Sequence, residues 1–285
     1  MTETTDQTIP DDRTILALAT DLWRYEGERR VDSGGSCRVW AGCCLDGESA
    51  FLKWHPEPRS WRQEQQAIRD WLPQIPQGMA NHSRLIAANE EHRLLLLSTV
   101  PGELVESRNW PAKELHLIHR QAGSVLRELH RLDTIDDSIS LDDALRQRLQ
   151  GWIGKADGIL DENQVHSARQ YFVSENLFAS DQRTLCHNDY QPRNWLWDGE
   201  RIGIIDWEHA HPNHPAFDLV RLQVGAWHHE PRLRESFLAG YQQIPAWLED
   251  ERMDAIVALF ALGCVVWGTQ HRQPDLIALG HRCLL

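Results

Sequence analysis

Between Leu185 and Trp197 the chain carries a histidine, an aspartate and an asparagine in the order His187-x-Asp189-x₄-Asn194, and a second aspartate, Asp206, ends the apolar run 202–205 just beyond. A carboxylate and a carboxamide five residues apart on one loop can face the same point. A carboxylate delivered by a neighbouring buried strand can complete an oxygen-lined site there. Phosphoryl transfer needs such parts: a group that orients the attacking hydroxyl and takes its proton, and oxygen ligands for the Mg²⁺ that neutralises the phosphates. In that chemistry Asp189 is the base, and Asn194 and Asp206 hold the metal. The competing reading is a loop of Asx-turn residues beside an unrelated strand.

The elements that must position these residues divide along the chain. Residues 13–24 read as a short helix. Residues 30–55 hold strand-like runs around two turn signals, Ser33-Gly34-Gly35-Ser36 and Asp46-Gly47. Ala50–Trp54 reads as a strand ending before Pro56, 59–72 as helix, and 84–88 with 93–100 as a β-hairpin. Beyond Pro101-Gly102 helices dominate. Pro111 suits a helix start, and Leu115, Ile118, Ala122, Val125, Leu126, Leu129 and Leu132 recur at helical spacing. Further helices are expected over 141–160, 163–178, 214–226, 231–241 and 248–270, interrupted by a β-rich stretch at 185–206. The expectation is an α+β architecture with a sheet-bearing N-terminal lobe (1–98, with a flexible acidic tail over 1–12), a hinge at 99–102 and a helical lobe over 103–285. A ligand is expected between the lobes, where pockets concentrate.

The stretch 185–206 resembles the catalytic and metal loops of the aminoglycoside phosphotransferase and choline kinase superfamily, small-molecule kinases that share the two-lobed protein-kinase-like fold. His-Asn-Asp at 187–189 and Ile-Asp-Trp-Glu at 205–208 are small-molecule-kinase features, and no Ala-Pro-Glu segment follows, which argues against a protein kinase. The resemblance runs from about residue 30 to the C-terminus, and its specific motifs lie in 185–221. It implies ATP and Mg²⁺ as cofactors. It implies that Lys53 contacts phosphates and that Glu64, eleven residues on, pairs with that lysine. It implies that Gly34, Gly35 and Ser36 form the loop over the phosphates, although the full GxGxxG is absent. It implies that the strand and hinge from Leu94 through Ser98 to Val100 receive the adenine. Asp218, in Phe217-Asp218-Leu219, would support the catalytic loop rather than react. His187 could serve as a base or a metal ligand; a structural role holding the loop fits the resembled motif better. The helix end at Glu128–Leu132 also has the family's look.

Composition bounds the rest. A net charge of −13 disfavours nucleic acid as a partner. It suits solubility, and it would tolerate or attract a cationic substrate. The N-terminus shows no basic start and no apolar stretch, and the longest apolar run, Ala255–Trp267, is too short to span a bilayer, so no membrane partner and a cytoplasmic setting are expected. Six cysteines lack any disulfide or CxxC pattern and read as reduced thiols. His209, His211 and His214, with His228 and His229 nearby, match no familiar zinc spacing and are expected to be solvated or to line a cleft. Trp207, Trp227 and Trp267 could wall a site for a protonated amine, or pack the core. Glu208 could face a cation, and Arg193 could meet a phosphate or stand exposed. The function expected is transfer of the ATP γ-phosphoryl group to a hydroxyl of a small, aminoglycoside-, choline- or thiamine-like molecule. The alternative is a catalytically silent nucleotide- or partner-binding module on the same fold, for which the incomplete glycine loop is the one cue. Oligomeric state has no signature in the sequence.

Overall fold

The computed structural model describes residues 9–31, 36–134, 139–174 and 176–284. In chain order the elements begin with α1 (Asp12–Trp23), β1 (Glu26–Val31), β2 (Arg38–Cys43), β3 (Ser49–Trp54), α2 (Pro58–Gln66), β4 (Asn81–His82), β5 (Leu85–Asn89), β6 (Leu94–Ser98) and β7 (Glu103–Leu104). Helices α3 (Ala112–His130), α4 (Leu141–Lys155) and α5 (Glu162–Gln170) follow. Four short strands come next: β8 (Thr184–Cys186), β9 (Trp195–Trp197), β10 (Ile202–Ile204) and β11 (His211–Asn213). The chain closes with α6 (Ala216–Val224), α7 (Ala226–His229), α8 (Pro231–Tyr241), α9 (Glu251–Gln270) and α10 (Pro274–Cys283).

The chain divides into two compact units. The first comprises 1–105 and 194–210, the second 106–193 and 211–285. The first unit is built on an antiparallel sheet in the order β1-β2-β3-β6-β5. Ile15, Ala19, Tyr25, Trp40, Leu52, Trp54, Leu94 and Leu96 form its core. Strand alternation puts Leu52 and Trp54 on the core face, so Lys53 points to the opposite one. Trp61 and Glu64, three apart on α2, are both buried, and the Trp61 indole N–H donates to Leu94 O at 3.0 Å, fixing α2 on the sheet. A second sheet, β4-β10-β9-β7, draws 194–210 into this unit, because β10 pairs parallel with β4 and β9 pairs antiparallel with β7. Of the acidic tail expected over 1–12, residues 10–12 are docked. Asp11 caps α1 by accepting from Thr14 N at 2.7 Å, and Arg38 holds both Pro10 O and Asp12.

Among the described residues the second unit is built of helices and the β8–β11 pair. Ile118, Ala122, Val125, Leu126 and Leu129 make the buried stripe of α3, as their spacing predicts. Its partner is α8, and the two helices approach closely: a Cβ at Gly240 would lie 1.8 Å from Arg120 O, and one at Gly123 would lie 2.0 Å from Phe237 O. The apolar run 255–267 lies within α9, which is longer than the run. At 20 residues and mean hydropathy 1.5, α9 has the length and composition of a membrane span, yet α4, α5, α6 and α10 of the same unit pack around it. The sequence reading ends its helices at 270 and misses α10.

Candidate functional site

In the first unit one buried ammonium serves two carboxylates. Lys53 Nζ donates to Glu64 Oε1 and Asp206 Oδ1, each at 2.8 Å, and lies 2.7 Å from Glu64 Oε2. Lys53 and Glu64 are buried and the Asp206 side chain is 22% exposed. Burial alone would discharge the lysine, but Asp206 and Glu64 outweigh it and raise its pKa well above the ordinary range. Glu64 is pulled the other way: burial would raise it, and Lys53 with His55 bring it below the usual carboxylate range. Trp207 N also points at Glu64 Oε1, at 3.4 Å. With two carboxylates to one ammonium the cluster carries a surplus negative charge, suited to a divalent cation.

Local backbone geometry places Asp206. It follows β10 with φ of 67°, in the left-handed region that a non-glycine residue seldom adopts and that costs about 1–3 kcal/mol. The bond from Ile205 N to Asn194 O, 3.0 Å, joins the turn 192–194 to the end of β10 and brings Asn194 beside Asp206 in the chain path. Asn194 itself is buried.

In the second unit Asp189 is buried and clamped between two guanidinium groups. Arg221 Nε lies 2.7 Å from Oδ1 and Arg193 Nη2 donates to Oδ2 at 2.8 Å, while Gln191 Nε2 donates to Oδ1 at 2.6 Å. Burial would raise this carboxyl, but Arg221 and Arg193 prevail and hold it at about 2. The loop carrying it hangs on Asp218, fully buried on α6. Asp218 accepts from His187 N at 3.0 Å and from Asn188 N at 2.5 Å, and His130 Nε2 lies 3.0 Å from it. Asn188 sits at φ of 62°, tolerable for asparagine, with its side chain tied to Cys186 O, His211 O and Asn213. His187 is fully buried with its ring edge-on to Tyr190, whose hydroxyl donates to Ala122 O at 2.8 Å.

These contacts place most of the residues picked out by sequence. Lys53, Glu64 and Asp206 converge in one unit. Asp189, His187 and Asp218 converge in the other. Ser98, at the end of β6, accepts from Arg84 N through its hydroxyl and from Ser83 through its carbonyl. Val100 lies beside Gly203, where a Cβ would meet it at 2.4 Å. Ser36 stands in an exposed bend, and Gly34 and Gly35 lie outside the described residues.

The sequence carries a family signature to match this geometry. Residues 44–254 match the family described as "Phosphotransferase enzyme family". The chain belongs to that family. Solved structures agree on the fold. The apoenzyme of macrolide 2'-phosphotransferase MphH from Brachybacterium faecium is 17% identical, with 96% of this chain and 98% of that one aligned and a TM-score of 0.66. The gentamicin complex of APH(2")-IIa is 16% identical over 97% and 96% of the two chains, with a TM-score of 0.69. A thermostable APH(4)-Ia mutant (D198A), in ternary complex with ADP and hygromycin B, is 14% identical over 95% and 96%, with a TM-score of 0.71. The two-lobed, protein-kinase-like α+β fold of the phosphotransferase family is thus the fold of this chain.

Several side chains of this phosphotransferase had two readings in the sequence, and their surroundings distinguish them. Arg193 is exposed, as one of its two readings had it, and also pairs with Asp189, four residues before it. His214 is not solvated. It is fully buried between Phe178 and Trp247, bonded to Asp181 and to Ala216 N, because the Pro212–Pro215 turn packs into the helical core. Trp207 and Trp227 are core residues, with the Trp207 indole bonded to Ile204 O and Trp227 edge-on to Phe237. Sequence reasoning missed Arg221. The available signal was its position, one helical turn after Asp218 and therefore on the same face of α6.

Proposed function

We propose that the chain transfers the γ-phosphoryl group of ATP to a hydroxyl of a small, cationic molecule, with Asp189 orienting that hydroxyl. The carrying observation is the buried Lys53–Glu64–Asp206 cluster, a fixed ammonium beside a surplus carboxylate. Lys53, aligned by Glu64, would contact phosphate oxygens, and the region from Ser98 to Val100 would receive the adenine. Asn194 and Asp206 offer an amide and a carboxylate oxygen, a hard donor set that fits Mg²⁺. Magnesium, when bound there, neutralises the phosphate charge. The family membership and a neighbour crystallised with ADP and hygromycin B support this reading.

A carboxyl held at about 2 is a weak base at neutral pH. Asp189 therefore acts first by orienting the hydroxyl. It takes the proton late, once the loose transition state has made the attacking oxygen acidic. Arg193, 47% exposed, is the contact on Asp189 that yields to an incoming hydroxyl, while Arg221 keeps the carboxylate in place. The acceptors that fit are polar alcohols bearing amines, of the aminoglycoside, choline or thiamine kind. The acidic net charge favours them. ATP use and six free thiols suit the cytosol.

The test is ADP release from Mg-ATP across a panel of hydroxylated amines. Turnover on at least one member, reduced by roughly 10²–10⁴-fold in Asp189→Asn with an unchanged circular dichroism spectrum, is expected. Stabilisation by Mg-ATP with no turnover on any member would favour the silent module instead.

A further inference from the structure

Beside the lysine cluster, and used by none of the chemistry above, three soft and hard donors meet in the first unit. Cys37 Sγ lies 3.1 Å from His55 Nδ1 and 2.5 Å from Glu208 Oε2, and the three donor atoms all fall within 4.8 Å of one another. Cys37 is 5% exposed, His55 0% and Glu208 4%. They come from the first residue before β2, the end of β3 and the segment after β10, so three separate chain segments deliver one donor each. We infer that Cys37, His55 and Glu208 form a binding site for a thiophilic divalent cation of the zinc class, distinct from the oxygen donors at Asn194 and Asp206.

Four observations carry this. The donor types are a thiol, an imidazole and a carboxylate, the set that zinc takes and magnesium does not. Zinc bonds of about 2.3 Å to sulfur and 2.0–2.2 Å to nitrogen or oxygen separate tetrahedral donors by roughly 3.3–3.6 Å, so the site accepts the ion if the Cys37–His55 pair spreads by about 0.5 Å and the Cys37–Glu208 pair by about 1 Å. A carboxylate stands behind the histidine: His55 Nε2 lies 3.2 Å from Glu64 Oε2 without the alignment of a hydrogen bond, and a small rotation of the ring would let Nε2–H donate there while Nδ1 faces the ion. The other Glu208 oxygen lies 3.6 Å from His209 Nε2. Finally, with the His55 proton on Nε2, one thiol proton must serve both Nδ1 and Glu208, and a cation in its place satisfies all three donors. Binding releases that thiol proton, and the ion's two positive charges are met by the thiolate and the Glu208 carboxylate.

The experiment uses the full chain, stripped with a chelator and titrated with Co²⁺ as a spectroscopic stand-in. One equivalent per chain with a thiolate-to-cobalt charge-transfer band, undisturbed by excess Mg²⁺ and displaced by Zn²⁺, is expected. Cys37→Ser should abolish the band, and Glu208→Gln should weaken Zn²⁺ by about 10–100-fold in a chelator competition. Cys264→Ser, in α9, and Asp206→Asn should keep the band. If Cys37→Ser fails to fold, the Glu208→Gln competition decides. Absence of the band in the unaltered chain overturns the site. So does a band that survives Cys37→Ser or vanishes with Cys264→Ser. Because these readouts are spectroscopic, they stand or fall apart from phosphoryl transfer.

Discussion

Deleting the Lys53 ammonium would leave the buried Glu64 carboxylate unpaired beside the partly exposed Asp206, a neighbour of like charge. Removing one partner of a buried pair costs about 3–5 kcal/mol, so Lys53→Ala should lower the urea midpoint by that equivalent as well as raise KM for ATP. A fall in KM-based affinity with unchanged stability would contradict the burial argument. Asp189 supplies a pH signature. Its folded pKa, about 2, lies below the ordinary 3.8, so its contribution, on the order of 2 kcal/mol, is present above pH 4 and disappears as pH falls from about 4 to 2. Arg221→Gln removes the largest opposing charge and should shrink that acid-labile part, as read by urea unfolding across the same range. At this scale the sequence singled out Asp189 and Asn194 because oxygen donors for phosphoryl transfer recur at fixed spacing. The two guanidinium groups on Asp189 were not legible there. Arg221 is separated from Asp189 by three strands, β9 to β11, and a proline turn, and only the helical face it shares with Asp218 hints at its place.

The α3–α8 contact is the element on which the Asp189 loop leans, since His130 on α3 bonds both Asp218 and the hydroxyl of Tyr241 on α8. Gly240→Ala places a methyl carbon against Arg120 O and should cost roughly 1–3 kcal/mol with a loss of activity, because α8 must tilt. Gly151→Ala, in α4 with open space around it, should stabilise by about 0.5–1 kcal/mol and leave activity alone. Thermal unfolding and turnover of the two variants check both. The hairpin of β5 and β6 and the stripe of α3 were readable because periodicity reports burial on one face. The bounds of α5 were overextended: the helix stops at Gln170, and the apolar residues beyond it pack without helical backbone, Phe172 and Phe178 being buried against each other. The pairing of β10 with β4, residues more than a hundred apart, has no local signature at all.

The whole molecule carries a net charge of −13, which concentrates cations around it. For a cationic acceptor, raising ionic strength until the Debye length falls from about 30 Å to about 8 Å should raise KM for the acceptor while leaving kcat unchanged. Equal KM at both salts would remove steering from the account. The return of 194–210 to the first unit has a consequence for biogenesis. While the ribosome is still making the helical region, the N-terminal domain has neither β9 nor β10 to pair with β7 and β4, and Lys53 waits with Glu64 but without Asp206. The nascent chain must therefore hold an incomplete lobe through the synthesis of about a hundred further residues, and wherever folding outpaces translation the lobe closes once 194–210 emerge, while 211–285 are still being made.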